Sequence, residues 1–139
     1  MGRGRWRVVE HTAEVALAVE GSDWPAFYEA AAEGLVALYD PPAALRADES
    51  KAVELEAETP EELLVGWLNE LIYLVSAKRW MPARVRVKQA DGVRLSAELA
   101  GGPLPAGATM REIKAATFGG LAVRASGGGR RWATIILDV

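Results

Sequence analysis

The sequence predicts an α+β fold: a largely antiparallel β-sheet structure with two principal α-helices packed on it. Three observations carry this expectation. Apolar and polar residues alternate in short runs at both ends of the chain and in its middle, the pattern of strands with one buried face. Two longer stretches repeat apolar residues at three- and four-residue spacing, and an Asp-Gly pair sits between two alternating runs as a hairpin turn. At 139 residues, half of them apolar and a quarter charged, the chain is expected to form one domain spanning 1–139 with a core of its own.

In chain order, Arg5 to Glu10 and Glu14 to Glu20 read as strands joined by His11-Thr12-Ala13. Val15, Leu17 and Val19 form the inward face of the second, and Gly21 ends it. Ser22 or Asp23 caps a helix with Pro25 in its first turn, where a missing N–H does no harm. Trp24, Phe27, Ala31, Leu35 and Leu38 make one stripe of that helix, and Pro41-Pro42 stops it. Val53, Leu55 and Ala57 then alternate with Glu54, Glu56 and Glu58 in a half-exposed strand. Three glutamates on the outer face of one strand face water, and we do not read them as a metal site.

Thr59-Pro60-Glu61-Glu62 is a strong helix start, with an N-cap threonine, proline in the first helical position and a glutamate placed to complete a capping box. The helix runs to Val75, apolar on most sides, with Lys78-Arg79 at its end to suit the helix dipole. Asn69 and Glu70 interrupt the apolar run, so each reaches an exposed edge or hydrogen-bonds to a neighbouring loop. Beyond Pro82, Ala83 to Gln89 and Val93 to Leu99 flank the Asp91-Gly92 turn. Arg84, Arg86 and Lys88 alternate along the first of these strands as a solvated face, not as a nucleic-acid stripe. Gly101 to Gly107 reads as a loop; it lacks the Gly-Lys-Ser/Thr ending of a phosphate-binding loop. Arg111 to Phe118, Leu121 to Ala125 and Arg130 to Val139 complete the strands, separated by Gly119-Gly120 and Gly127-Gly128-Gly129.

Composition narrows the chemistry. With no cysteine there is no disulfide, thiolate metal site or cysteine nucleophile, which points to a cytoplasmic protein. No apolar run is long enough for a bilayer, the first residues lack a signal-peptide core, and Trp6 breaks the myristoylation pattern, so no membrane partner is expected. A net charge of −3 argues against dedicated, sequence-specific nucleic-acid binding. What remains is His11-Thr12-Ala13-Glu14-Val15, holding the single histidine and an acid at a sheet corner, and the final strand, whose tip carries Asp138 on an otherwise apolar run. If that tip lies beside the corner, Glu14, Asp138 and the oxygens of Val139 make an all-oxygen cluster suited to a hard cation.

Four stretches in this order resemble the archease family: His11-Thr12-Ala13-Glu14-Val15, Trp67-Leu68-Asn69-Glu70-Leu71-Ile72-Tyr73-Leu74, Glu112-Ile113-Lys114-Ala115-Ala116-Thr117-Phe118, and Asp138-Val139. The resemblance runs over nearly the whole chain. It implies a small α+β protein with no reaction of its own, a cofactor of the GTP-dependent tRNA-splicing RNA ligase that promotes the ligase's guanylylation and multiple turnover. Family members are also described as chaperones that modulate the specificity of tRNA methyltransferases. The resemblance further implies a divalent cation, calcium with magnesium or manganese as alternatives, held by Glu14, Asp138 and the main-chain or terminal carboxylate oxygen of Val139. His11 and Lys114 match other recurrent positions and are assigned to the same, partner-binding surface.

Two residues depart from the family pattern. Glu14 stands where Asp is usual, one methylene longer, and Phe118-Gly119 stands where Tyr-His is frequent. A competing reading is a metal-dependent hydrolase using His11 as base with Glu14 and Asp138 as ligands, but one histidine and two or three carboxylates are a thin inventory and no His-Glu-x-x-His pattern is present.

Overall fold

A computed structural model describes residues 3–10 and 13–139, the side chain of Glu10 excepted. Among these residues the order is β1 (Gly4–Glu10), β2 (Glu14–Gly21), α1 (Trp24–Tyr39), β3 (Glu49–Glu56), α2 (Pro60–Ser76), β4 (Trp80–Ala90), β5 (Arg94–Pro103), β6 (Ala115–Thr117), β7 (Arg124–Ala125) and β8 (Arg131–Asp138). One antiparallel sheet has the order β1-β2-β8-β6, with β7 also paired to β8; a second has the order β3-β5-β4. Each helix touches both sheets, α1 against β1, β2, β8 and β4, and α2 against β3, β4 and β6. One apolar core therefore serves every layer.

The helices begin where their capping chemistry places them. Asp23 Oδ1 accepts the Ala26 N–H at 2.8 Å, and Thr59 Oγ1 accepts the Glu62 N–H at 3.1 Å while Glu62 Oε1 accepts that of Glu58 at 3.1 Å. α1 ends on Asp40 in the left-handed region at φ 53°, ahead of the proline pair. α2 ends at Ser76, one turn short of Arg79, so Lys78 and Arg79 lie beyond the helix instead of closing its last turn. Arg79 takes a left-handed φ of 52° and ties the start of β4 to the loop after β5, its Nη2 donating to the Ala108 carbonyl at 3.0 Å.

Four expected strands differ. β5 continues through Gly101 and Gly102 to Pro103, and β4 starts at Trp80, because the glycines let the backbones close up: a Cβ at Gly101 would meet the Met81 carbonyl, and one at Gly102 that of Arg46. The stretch from Arg111 to Phe118 is strand only over Ala115–Thr117, since β8 ends at Asp138, the partner of Ala115, and ladder pairing stops there. Leu121 to Ala125 is strand only over its last two residues. Leu121 closes a turn onto the Phe118 carbonyl, and Glu61 Oε2 takes the Val123 N–H at 2.8 Å.

The core holds two buried phenols. The Tyr28 and Tyr39 hydroxyls have no hydrogen-bond partner among the described residues. Burial, with the charges of Asp91 and Glu61, raises the Tyr28 pKa far above its ordinary value, and burial pushes that of Tyr39 up to about 12. Both folded values exceed the unfolded value of about 10, so the stability held by the neutral hydroxyls is complete below that pH and is lost as pH rises through the folded pKa. Stability is expected to fall as pH rises above ~10. The phenolate absorbance of two tyrosines should rise with the loss of circular dichroism; a rise that precedes it would show these rings to be solvated.

Candidate functional site

The β2–β8 register sets Glu14 directly opposite Asp138. Val15, Leu17 and Val19 on one strand and Ala133, Ile135 and Leu137 on the other are buried, so by alternation both acids project from the opposite face, where both are exposed. On the next rung the Val139 N–H donates to the Ala13 carbonyl at 3.4 Å. Glu14 and Asp138 thus occupy the rung without main-chain hydrogen bonds, in which Cα atoms stand about 4.5 Å apart and side chains are closest. On the far side of β8, Ala115 faces Asp138 and the Lys114 N–H donates to the Asp138 carbonyl at 2.8 Å.

The sequence-predicted residues therefore divide as follows. Glu14, Asp138 and Val139 come together at one sheet end, and Lys114 reaches it through its main chain. His11 and Thr12 lie outside the described residues. Like charges directly opposite one another destabilise a sheet. Among the described residues neither carboxylate is in an ion pair, and no group of three or more His, Cys, Asp or Glu side chains assembles there or elsewhere. Two carboxylates and the main-chain oxygens of Val139 are hard donors, and the donor set fits a calcium- or magnesium-like ion that keeps several waters. The longer Glu14 side chain keeps the donor type and changes only its reach.

Asn69 supports this end of the sheet. Its Oδ1 accepts the Ala116 N–H at 2.8 Å and its Nδ2 donates to the Ala116 carbonyl at 3.4 Å, so one side chain of α2 takes the place of a neighbouring strand along β6. Of the two roles the sequence allowed, this is the bond to a neighbouring segment. Asn69→Ala leaves both main-chain groups of a buried residue without partners and should cost about 1–3 kcal/mol. Urea unfolding measures it, and an unchanged midpoint would show that β6 does not depend on Asn69.

A second polar arrangement on the same outer face has no sequence signature, because its members are far apart in the chain. Glu20 Oε1 pairs with Arg5 Nε at 2.9 Å and Glu20 Oε2 with Arg130 Nε at 2.9 Å, while the Arg130 guanidinium lies 4.2 Å from the centre of the Trp132 ring. A cavity of about 920 Å³ runs between the start of α1 and β4, lined by Arg84, Arg86, Lys88, Glu98 and Glu29 among others, and includes no residue of the acidic tip. Among the described residues no helix is long and apolar enough to cross a membrane.

Fold and tip together define a small, single-domain α+β protein with an acidic, all-oxygen sheet end. The profile of the Archease protein family (MTH1598/TM1083) matches residues 6–139. The chain belongs to the archease family. It is 33% identical to the protein archease of Archaeoglobus fulgidus over 116 residues, 82% of this chain and 85% of that one. With that of Thermococcus gammatolerans it shares 31% identity over 140 residues, 97% and 99% of the two chains. Its fold is similar to the solution structure of protein 1598 of Methanobacterium thermoautotrophicum, at a TM-score of 0.78, 26% identity and 96% and 98% coverage. It is also similar to the crystal structure of an archease, "possible chaperone", from Thermotoga maritima, at a TM-score of 0.66 and 21% identity, covering 96% of each chain.

Proposed function

We propose that this protein is a non-enzymatic, cytoplasmic cofactor of the GTP-dependent tRNA-splicing RNA ligase, promoting the ligase's guanylylation and multiple turnover through its acidic tip. The observation that carries this reading is the opposed pair Glu14 and Asp138, an arrangement that costs stability in the free protein unless something positive lies between them. Glu14, Asp138 and the main-chain oxygens of Val139 would hold a divalent cation, calcium foremost. When bound, the cation supplies positive charge against which an anionic group of the partner can be placed. The rest is positioning by this chain's own residues. The β2–β8 rung fixes the two carboxylates side by side, Lys114 and Asn69 hold the strand behind them, and His11 and Lys114 contact the partner. Because rate depends steeply on the placement of reacting groups, a modest rearrangement of the partner's active site changes turnover strongly.

The test is trace addition of the protein to its ligase with cleaved tRNA. Joined product should exceed the amount of ligase only when the protein is present, and the isolated protein should join and hydrolyse nothing. No gain over ligase alone would sink the proposal. Family membership also admits a second reading, a chaperone that modulates the specificity of tRNA methyltransferases through the same kind of contact. A shift in methylated positions on tRNA, with ligase turnover unaffected, would select it.

A further inference from the structure

At the end away from the acidic tip, the outer face of the first sheet carries two rows of side chains that run across its strands. The register sets Arg5, Glu20, Trp132 and Arg124 side by side on β1, β2, β8 and β7, and Arg7, Ala18 and Thr134 side by side in the next row. Four strands at their usual spacing make a platform about 14 Å wide. With Arg130, whose guanidinium stands over the Trp132 ring, four arginines gather here against one acid, although the whole chain has a net charge of −3. Glu20 is shared by Arg5 and Arg130, both of whose side chains stay more than half exposed, and among the described residues Arg7 and Arg124 are in no ion pair. A cavity of about 430 Å³ opens beside them, lined by Arg5, Arg7, Trp6, Trp132 and Thr134 among others.

We propose that this platform binds single-stranded RNA without regard to sequence, Trp132 and Arg130 stacking a base while Arg5, Arg7 and Arg124 take phosphates. A guanidinium is planar, grips a phosphate with two parallel N–H groups and stacks on rings, so arginines around a half-buried tryptophan suit both parts of a nucleotide. Cations spread over four strands reach further than one phosphate, which points to a polymer. Stacking also needs a base that is free of its own helix, which excludes a duplex. The overall negative charge keeps the contact weak and salt-sensitive, in keeping with a patch and not a dedicated binder. The choice of RNA as the polymer rests on the reading given under Proposed function. On β2 the platform ends at Glu20 and the tip at Glu14, about 20 Å along the same face, so a strand held on the one lies within reach of an enzyme engaged by the other.

Fluorescence anisotropy of a labelled, unstructured RNA of ~12 nucleotides, titrated with the full chain alone in chelator, tests this. Anisotropy should rise with protein, and the logarithm of the affinity should fall with that of salt by about 0.7 for each phosphate neutralised, near 2 in all for three. Arg7→Glu with Arg124→Glu should weaken binding about tenfold or more and flatten that slope. Trp132→Ala should weaken it about tenfold at every salt concentration, and Trp132→Phe, which keeps a stacking ring, should recover most of the loss. At ~0.1 M salt, where distant charges are screened, Arg84→Glu with Arg86→Glu on the other sheet should leave the affinity within about threefold, as should Glu14→Ala at the tip. Circular dichroism checks that each variant is folded. No binding at low salt, tighter binding of a duplex of the same length, a Trp132→Ala variant that binds like the natural chain, or an equal loss from the β4 pair would each overturn the proposal. Ligase activation without RNA binding overturns this inference alone, whereas RNA binding without ligase activation supports it and fails the functional reading alone.

Discussion

Glu14→Ala and Asp138→Ala are each expected to return ligase turnover to the rate of ligase alone, with the fold intact. Both side chains are exposed at the end of their strands, and removing either relieves the repulsion across the rung. In chelator, each variant should therefore be as stable as the natural chain or more stable by up to about 1 kcal/mol. With calcium added, the proposed tip predicts the reverse order. Binding to the folded state alone should raise the melting temperature of the natural chain and leave the variants unmoved. Glu14→Asp separates reach from charge: it keeps the carboxylate and shortens the side chain by one methylene. A natural chain whose melting temperature ignores calcium, magnesium and manganese would remove the cation from the mechanism, while full activity of Glu14→Ala would remove the tip.

The largest effect on stability is expected at Trp67. Its side chain is fully buried on α2, and its Nε1–H donates to the Tyr28 carbonyl of α1 at 2.9 Å, so one residue both fills the core and ties the two helices together. Trp67→Ala opens a large cavity and removes the indole's hydrogen bond to α1, and should cost about 3–5 kcal/mol. Trp67→Phe keeps most of the volume and loses the hydrogen bond, so it should fall well between the two. Chemical denaturation gives both numbers; a loss below about 1 kcal/mol for the alanine variant would mean that the core collapses around the gap.

Local rules made most of this fold legible. The two helix starts, the Asp91-Gly92 turn, where Asp91 Oδ1 accepts the N–H groups of Val93 and Arg94 at 2.8 and 2.9 Å, and the alternation of β2, β3 and β8 depend on residues near one another in the chain. What escaped is non-local. The extension of β4 and β5 through Gly101 and Gly102 depends on how closely two backbones approach, and the shortness of β6 depends on where β8 ends. Composition rich in Gly and Pro reads as loop unless the facing strand is known. At the tip, the acids were visible as residues, but only the register between β2 and β8 puts them on one rung. Asn69 stood out as a polar residue in an apolar helix, yet its partner, Ala116, lies in another element and has no polar side chain to betray it. The clamp of Glu20 on Arg5 and Arg130 left no trace, because ordinary surface charges look alike before folding.

The double hydrogen bond between Asn69 and Ala116 has a consequence for how the tip is felt elsewhere. Asp138 is paired to β6, and β6 is fastened to α2, whose neighbouring residue Trp67 is locked to α1. Opening the strand end and loosening the helix are then steps of one local equilibrium. Whatever grips the carboxylates draws that equilibrium toward the closed form. In hydrogen exchange, occupation of the tip should slow the Ala116 amide and the side-chain amide of Asn69 together, so the back of the molecule reports on the front.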